Sequence, residues 1–168
     1  MEEAVLRDLL STLKIMAEAE KTVGGFYKSC AEFFQHDADF WSKLADEEFI
    51  HADVLTRLSK MVTRKPNEYE PGKLPSVAAL RTFISRLHSD RERLKNGTLT
   101  MHDALLAAYL IEMTVIECNY TEVVQTTNSK CLEALENLAI ATVQHRGRIK
   151  DKMQDFRKIE PTGQIRRQ

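Results

Sequence analysis

Apolar residues recur along the first third of the chain at alternating intervals of three and four positions. This spacing is typical of an amphipathic helix that turns one face towards neighbouring helices. It predicts a first helix over residues 3–34 and a second helix that ends near Val62, with a turn over residues 36–39 between them. Because the turn is short, we expect the two helices to form an antiparallel hairpin. The inward positions are Leu6, Leu9, Leu13, Met16, Glu20, Val23, Tyr27, Cys30 and Phe34 in the first helix, and Trp41, Leu44, Glu48, His51, Leu55, Leu58 and Val62 in the second.

A second hairpin is predicted after a connection rich in proline. Residues 63–75 hold three of the four prolines of the chain and are interpreted as an extended loop. An amphipathic helix over residues 76–95 follows, and longer helices are then predicted over residues 100–126 and 131–156. The inward positions of these two are Leu105, Tyr109, Glu112, Ile116, Asn119 and Val123, and then Leu135, Leu138, Thr142, His145, Ile149 and Phe156.

The predicted fold class is all-α, because no stretch shows the strict apolar–polar alternation of a strand. Two hairpins joined by a long connection predict an antiparallel four-helix bundle with one long crossover that carries an extra helix. We expect a single domain over residues 1–157, made of hairpins 3–62 and 100–157 and the crossover 63–99. Residues 158–168 are expected to form a flexible tail.

Two adjacent glycines interrupt the first helix. Gly24 and Gly25 each cost ~1 kcal/mol relative to alanine in a helix interior. They therefore indicate either a close approach of another helix or a local opening at this point.

Composition narrows the range of functions. The chain has 168 residues and a formal net charge of −1, which argues against a nucleic-acid-binding protein. No apolar run reaches the ~18 residues needed to cross a bilayer, and the N-terminus does not resemble a signal peptide. Cys30, Cys118 and Cys131 lack the paired spacing of a disulfide framework or a thiolate zinc site, so a cytoplasmic location is expected.

Five ionisable side chains occupy inward positions near the middle of their helices. A buried charge costs several kcal/mol unless it is paired or bound to a metal ion. Glu48 and His51 are three residues apart and so share one helical face. Carboxylates and imidazoles that converge from four helices are the ligands that a pair of first-row metal ions requires. The five candidates are Glu20, Glu48, His51, Glu112 and His145.

The residues around these positions resemble the ferritin-like superfamily, and its rubrerythrin branch in particular. In AEKTVGGFYKSCAEF, a glutamate is followed seven residues later by a tyrosine, and LADEEFIHADVL contains Glu-x-x-His. In the second hairpin, Glu112 followed by Tyr120 fits the third-helix pattern. The resemblance does not explain the helix over residues 76–95, and no rubredoxin-like cysteine pairs follow the bundle.

This resemblance implies a ferritin-like fold and a di-iron site, with manganese or zinc as alternative metals. The five candidates above would be the metal ligands, and Tyr27 would serve catalysis by orienting a ligand carboxylate. The implied chemistry is oxidation of Fe(II) by dioxygen or peroxide.

The chain departs from the family pattern in its last helix. Where the family has Glu-x-x-His, this sequence has Thr142 three residues before His145. Thr142 offers only a neutral hydroxyl, so the second metal position is expected to be weakened. Glu117 is an alternative to Glu112 as the third-helix ligand, whereas Glu47 is expected to be solvated.

A second hypothesis assigns no chemistry to the chain. The buried glutamates and histidines would then satisfy one another without metal, in a degraded site, and the protein would act as an interaction or structural protein. In either case we expect a homodimer, because the third main helix and the helix over residues 76–95 offer more apolar surface than one bundle needs.

Overall fold

Helices dominate the structure, a computed structural model that describes residues 2–117 and 119–159. The predicted all-α class is confirmed at this level, and the bounds of the first, second, third and fifth helices agree with the sequence prediction to within three residues. The helices are α1 (Glu3–Phe33), α2 (Ala38–Arg64), α3 (Val77–Lys95), α4 (Met101–Glu117) and α5 (Ser129–Ile159).

The helices pack as two hairpins that are joined by the crossover. Helices α1 and α2 form the first hairpin around the turn Gln35–Asp37, and α4 packs against α5 in the second. Helix α2 contacts α5 and thereby links the hairpins, while α3 lies along α1. All seven inward positions predicted for α2 are buried, which shows that its apolar stripe is the face that meets the other helices.

The first hairpin is tight at Gly24. A Cβ atom at this position would lie 3.1 Å from the carbonyl oxygen of Ala45 and 3.0 Å from the ring of Phe49. Glycine therefore lets α1 and α2 approach more closely than a larger residue would. The sequence left open a close helix approach or a local opening at the glycines, and the close approach is confirmed at Gly24.

Helix α4 ends at Glu117, nine residues earlier than predicted. Asn119 adopts a left-handed conformation (φ 44°), and the chain continues as a short 3-10 turn over Tyr120–Glu122. A left-handed residue stops a right-handed helix, so the prediction of a helix to residue 126 was wrong. Tyr120 consequently lies beyond α4, and it does not share a helix with Glu112 as the resemblance implied.

Two short strands replace part of the predicted loop and helix. Strand β1 (Tyr69–Pro71) pairs antiparallel with β2 (Val124–Thr126). The expectation that the chain has no strand was wrong here, because a three-residue strand is too short to show an alternating pattern. The pairing ties the crossover to the segment between α4 and α5.

Several expectations concern the surface and the end of the chain. No helix in the described part of the chain combines the length and the apolar character needed to cross a membrane. Leu106 and Leu110 on α4 are each 41% exposed, and the homodimer stays a prediction.

Cys118 and residues 160–168 of the expected tail lie outside the described residues.

Candidate metal centre

The five side chains predicted as metal ligands are all buried, and contacts among them join them in one cluster. They come from four helices: one from α1, two from α2, one from α4 and one from α5. Exposed fractions do not exceed 5% for any of them. The members are Glu20, Glu48, His51, Glu112 and His145.

Glu48 lies at the centre of the cluster. Its Oε2 is 2.9 Å from Nδ1 of His51, one turn later on α2, and its Oε1 is 2.7 Å from Nδ1 of His145 on α5. The two imidazole rings stack with centroids 5.1 Å apart and an angle of 16° between their planes. One ligand atom from each residue lies within 4.8 Å of the others, so this buried group could hold a metal ion.

Glu112 joins the cluster from α4. The phenol of Tyr27 donates a hydrogen bond of 2.6 Å to Glu112 Oε1, and that oxygen lies 3.7 Å from His145 Nδ1. Tyr27 is fully buried, and its ring packs 5.7 Å from that of Trp41. The phenol therefore fixes the orientation of one carboxylate in the cluster. Its role in catalysis stays a prediction.

Glu20 reaches the cluster from α1 through Glu48. Its carboxyl group hydrogen-bonds the Glu48 side chain, which helps to lower the pKa of Glu48. This contact joins the glutamate of α1 to the glutamate at the centre of the cluster.

Glu47 makes a contact that the sequence did not predict. Its side chain is 39% exposed, in line with the expected solvation, but its Oε2 also lies 2.6 Å from His145 Nε2. Its other oxygen accepts a hydrogen bond of 3.1 Å from Arg148 Nη1, and Arg148 Nη2 contacts Oε2. Histidines that bind a metal commonly donate their second ring N–H to a carboxylate, which fixes the ring and its tautomer. Glu47 would supply that carboxylate if His145 held a metal ion.

The buried side chains of the cluster shift one another's pKa values. Burial raises the pKa of Glu48, but the hydrogen bonds to His145 and His51 outweigh this and lower it. Burial lowers the pKa of His145, but Glu112 and Glu48 outweigh this and raise it to about 10. Burial and the charge of Glu48 raise the pKa of Glu112. An imidazolium at His145 therefore balances the carboxylates, and a metal ion that bound this ring would have to displace its proton.

Thr142 is buried one turn before His145, where the family pattern has a glutamate. Its hydroxyl donates a hydrogen bond of 3.0 Å to the carbonyl oxygen of Leu138, so the helix backbone already uses its proton. The described carboxylates of the cluster are therefore those of Glu20, Glu48 and Glu112, with Glu47 at its edge. The side chain of Glu117, the alternative to Glu112, lies outside the described residues.

Comparisons with protein-family models, with curated proteins and with solved structures gave no match for this chain.

Proposed function

We propose that this chain is a ferritin-like helical bundle that binds non-haem iron, or a related ion such as manganese or zinc, at the buried cluster. The observation that carries the proposal is the convergence of Glu48, His51 and His145, whose ligand atoms lie within 4.8 Å of one another. Glu20 and Glu112 add a carboxylate each from α1 and α4. Buried charged groups are rare unless they are paired or bound to a metal.

The chemistry of these donors fits a first-row metal ion. Imidazole nitrogen and carboxylate oxygen suit iron, manganese and zinc, whereas softer ions prefer thiolates. Three carboxylates, from Glu20, Glu48 and Glu112, supply three negative charges, while two divalent ions carry four positive charges. The first ion is therefore well neutralised, and the second position is the weaker one.

The surroundings of His145 support the same function. Glu47 holds Nε2 of the ring, which leaves Nδ1 on the side of Glu48 and Glu112. Arg148 holds Glu47 in turn from α5. Such outer partners orient a ligand ring and raise its basicity.

A bound iron pair would supply redox chemistry, the oxidation of Fe(II) to Fe(III) by dioxygen or peroxide. The protein's own contribution lies in binding and orientation. Tyr27 orients the carboxylate of Glu112 through its hydrogen bond. The low exposure of the cluster limits the contact of its side chains with bulk water.

The test is metal analysis of protein purified without chelator, followed by anaerobic Fe(II) titration. We expect bound metal and a melting temperature that rises with free Fe(II), because an ion that binds the native state stabilises it. Glu48→Ala should abolish this rise, whereas Glu136→Ala, at an exposed position of α5, should keep it. Oxygen is then admitted, and the formation of Fe(III) is followed by absorbance.

The second candidate function is a structural or interaction protein with a degraded site. It is favoured by the fact that Glu48 already has both imidazoles as partners and Glu112 has Tyr27. This candidate predicts the same melting temperature with and without Fe(II), and no metal in the purified protein.

A further inference from the structure

Helix α2 borders a solvent-accessible groove on each of two sides. One groove, of about 580 Å³, runs between α2 and α5 and includes Glu47, Ile50, His51 and Arg148 in its lining. The other, of about 750 Å³, runs between α1 and α2. The two differ in what lies beneath them and in their charge.

The α2–α5 groove opens onto the cluster. His51 lines the groove and at the same time places Nδ1 2.9 Å from Glu48. Glu47 also lines the groove and hydrogen-bonds the fully buried His145. A solute in the groove thus contacts His51, which is itself a candidate ligand, and Glu47, which hydrogen-bonds the candidate ligand His145.

The α2–α5 groove is much larger than a crevice that also adjoins the cluster, next to Glu20. A divalent ion with six waters, at about 30 Å³ each, needs about 180 Å³. The groove between α2 and α5 accommodates that volume. The crevice next to Glu20, between Met16, Phe83 and Tyr120, has about 10 Å³ and does not.

The two large grooves differ in the charge of the side chains that line them. Glu47 and Asp151 line the α2–α5 groove, and its cation, Arg148, is already paired with Glu47. The groove therefore carries a net negative charge and attracts cations. The α1–α2 groove has one carboxylate against four cations, which repel a metal ion: Arg7, Lys14, Lys21 and Lys60.

We propose that the α2–α5 groove is the entrance through which a divalent metal ion reaches the cluster, and that Glu47 and Asp151 draw the ion into it. This inference rests on the proposed metal binding and concerns the route of the ion. A route controls rates in both directions and leaves the equilibrium unchanged, so it can be tested apart from affinity.

The experiment uses Co(II) alone as the probe and the full chain as the protein. Association is followed by stopped-flow absorbance, and dissociation by capture of the released ion with EDTA. Gly147→Trp fills the groove from α5, where a Cβ would stand in open space. Ile50→Trp fills it from α2, where Ile50 is 61% exposed. Ser11→Trp, in the α1–α2 groove, is the matched control.

We expect Gly147→Trp to slow association and dissociation of Co(II) by the same factor, about tenfold or more, with an unchanged Kd. Asp151→Lys should slow association at low salt, and the effect should fade as salt screens the charge. Ser11→Trp should leave both rates unchanged. If Gly147→Trp alters the Kd, Ile50→Trp is judged by the same criterion.

Two results overturn the proposal while the proposed function stands. One is Co(II) binding with the wild-type rates in both groove variants. The other is an equal slowing in Ser11→Trp, which would mean that the ion enters through a general opening of the bundle. A wild-type chain that binds no Co(II) overturns the entrance and the metal-binding function together.

Discussion

Glu47 Oε2 lies 2.6 Å from Nε2 of the fully buried His145, and the contact joins α2 to α5. Arg148 anchors the same carboxylate with its guanidinium. Burial raises the pKa of Glu47, but Arg148 outweighs this and lowers it, so the carboxylate is ionised at neutral pH. The ring of His145 is thereby held from outside the cluster by a charged acceptor.

The first prediction is that Glu47→Gln weakens metal binding. The substitution keeps a side chain of similar size but removes the negative charge that favours the N–H at Nε2. Loss of such an outer partner typically costs ten- to a hundredfold in metal affinity, and we expect about this loss in the Kd for Co(II). Calorimetric titration of Glu136→Gln, an exposed change of the same kind, should give the wild-type Kd. An unchanged Kd in Glu47→Gln would show that the contact does not serve a metal ligand.

Tyr27→Phe should destabilise the metal-free protein. The change removes the donor that lies 2.6 Å from Glu112 Oε1 and leaves that buried carboxyl short of one partner. Loss of a buried hydrogen bond to a carboxyl group costs about 1–3 kcal/mol, to be measured by urea unfolding with chelator present. Tyr109→Phe, at a half-buried position of α4, is the control. Equal losses in the two variants would contradict a specific role for the Tyr27 hydroxyl.

The stability of the metal-free protein should fall as the pH rises above neutrality. The pKa of His145 is raised to about 10 in the folded protein, above its ordinary value of about 6.5. The protonated ring therefore favours the folded state: its contribution is complete below about pH 6.5 and is lost as the pH rises through about 10. The pKa of Glu48 is lowered, so its contribution to stability changes only at acid pH. It does not alter the loss of stability expected between neutral pH and pH 10.

The free energy of unfolding should fall by at most about 1.4 kcal/mol per pH unit as the pH rises. It is measured between pH 7 and 9.5 with chelator present. Nitrogen NMR of the imidazoles serves as the independent check. A His145 ring that loses its proton near pH 6.5 would contradict the prediction.

Most of the fold was predictable because helical periodicity reports which face of a helix is buried. The seven inward positions of α2 follow from spacing alone, and two of them, Glu48 and His51, are polar enough to mark the cluster. Glu47 could not be found in this way. It stands one position away from the stripe, and its contact with His145 depends on how α2 and α5 are rotated relative to each other, which neither helix encodes in its own pattern.

The end of α4 was missed for a different reason. The apolar run after Glu112 favours a continued helix, yet the chain turns at Asn119 and pairs with a segment far away in sequence. Tyr69 pairs with Thr126, and Val124 within β2 and Tyr120 shortly before it are buried. Tertiary pairing outweighs local helix propensity here, and a single sequence contains no signal for it.

Two helical glycines should respond in opposite ways to alanine. At Gly147, the space that a Cβ would occupy is open, so Gly147→Ala should stabilise the protein by up to about 1 kcal/mol through helix propensity. At Gly24, the same atom would press on the Ala45 carbonyl oxygen at 3.1 Å, so the clash should cancel or exceed that gain. Thermal unfolding of both variants measures the difference. A larger gain at Gly24 would contradict the close approach of α1 and α2.

The last prediction concerns Thr142, which is buried one turn before His145 and donates its hydroxyl to Leu138. Thr142→Glu would add a fourth carboxylate to those of Glu20, Glu48 and Glu112, so that four negative charges face the four positive charges of two divalent ions. Without metal, the added carboxylate is a buried charge of the same sign as its neighbours, and we expect a lower melting temperature than in the wild type. With Fe(II), the second metal should bind more tightly and the melting temperature should recover. The test is to measure the metal stoichiometry and the melting temperature of the wild type and of Thr142→Glu, with and without Fe(II). Thr142→Gln is the control, because it has the larger side chain without the charge. A Thr142→Glu protein that is destabilised in both conditions and binds no additional metal would show that this position does not belong to a di-metal site.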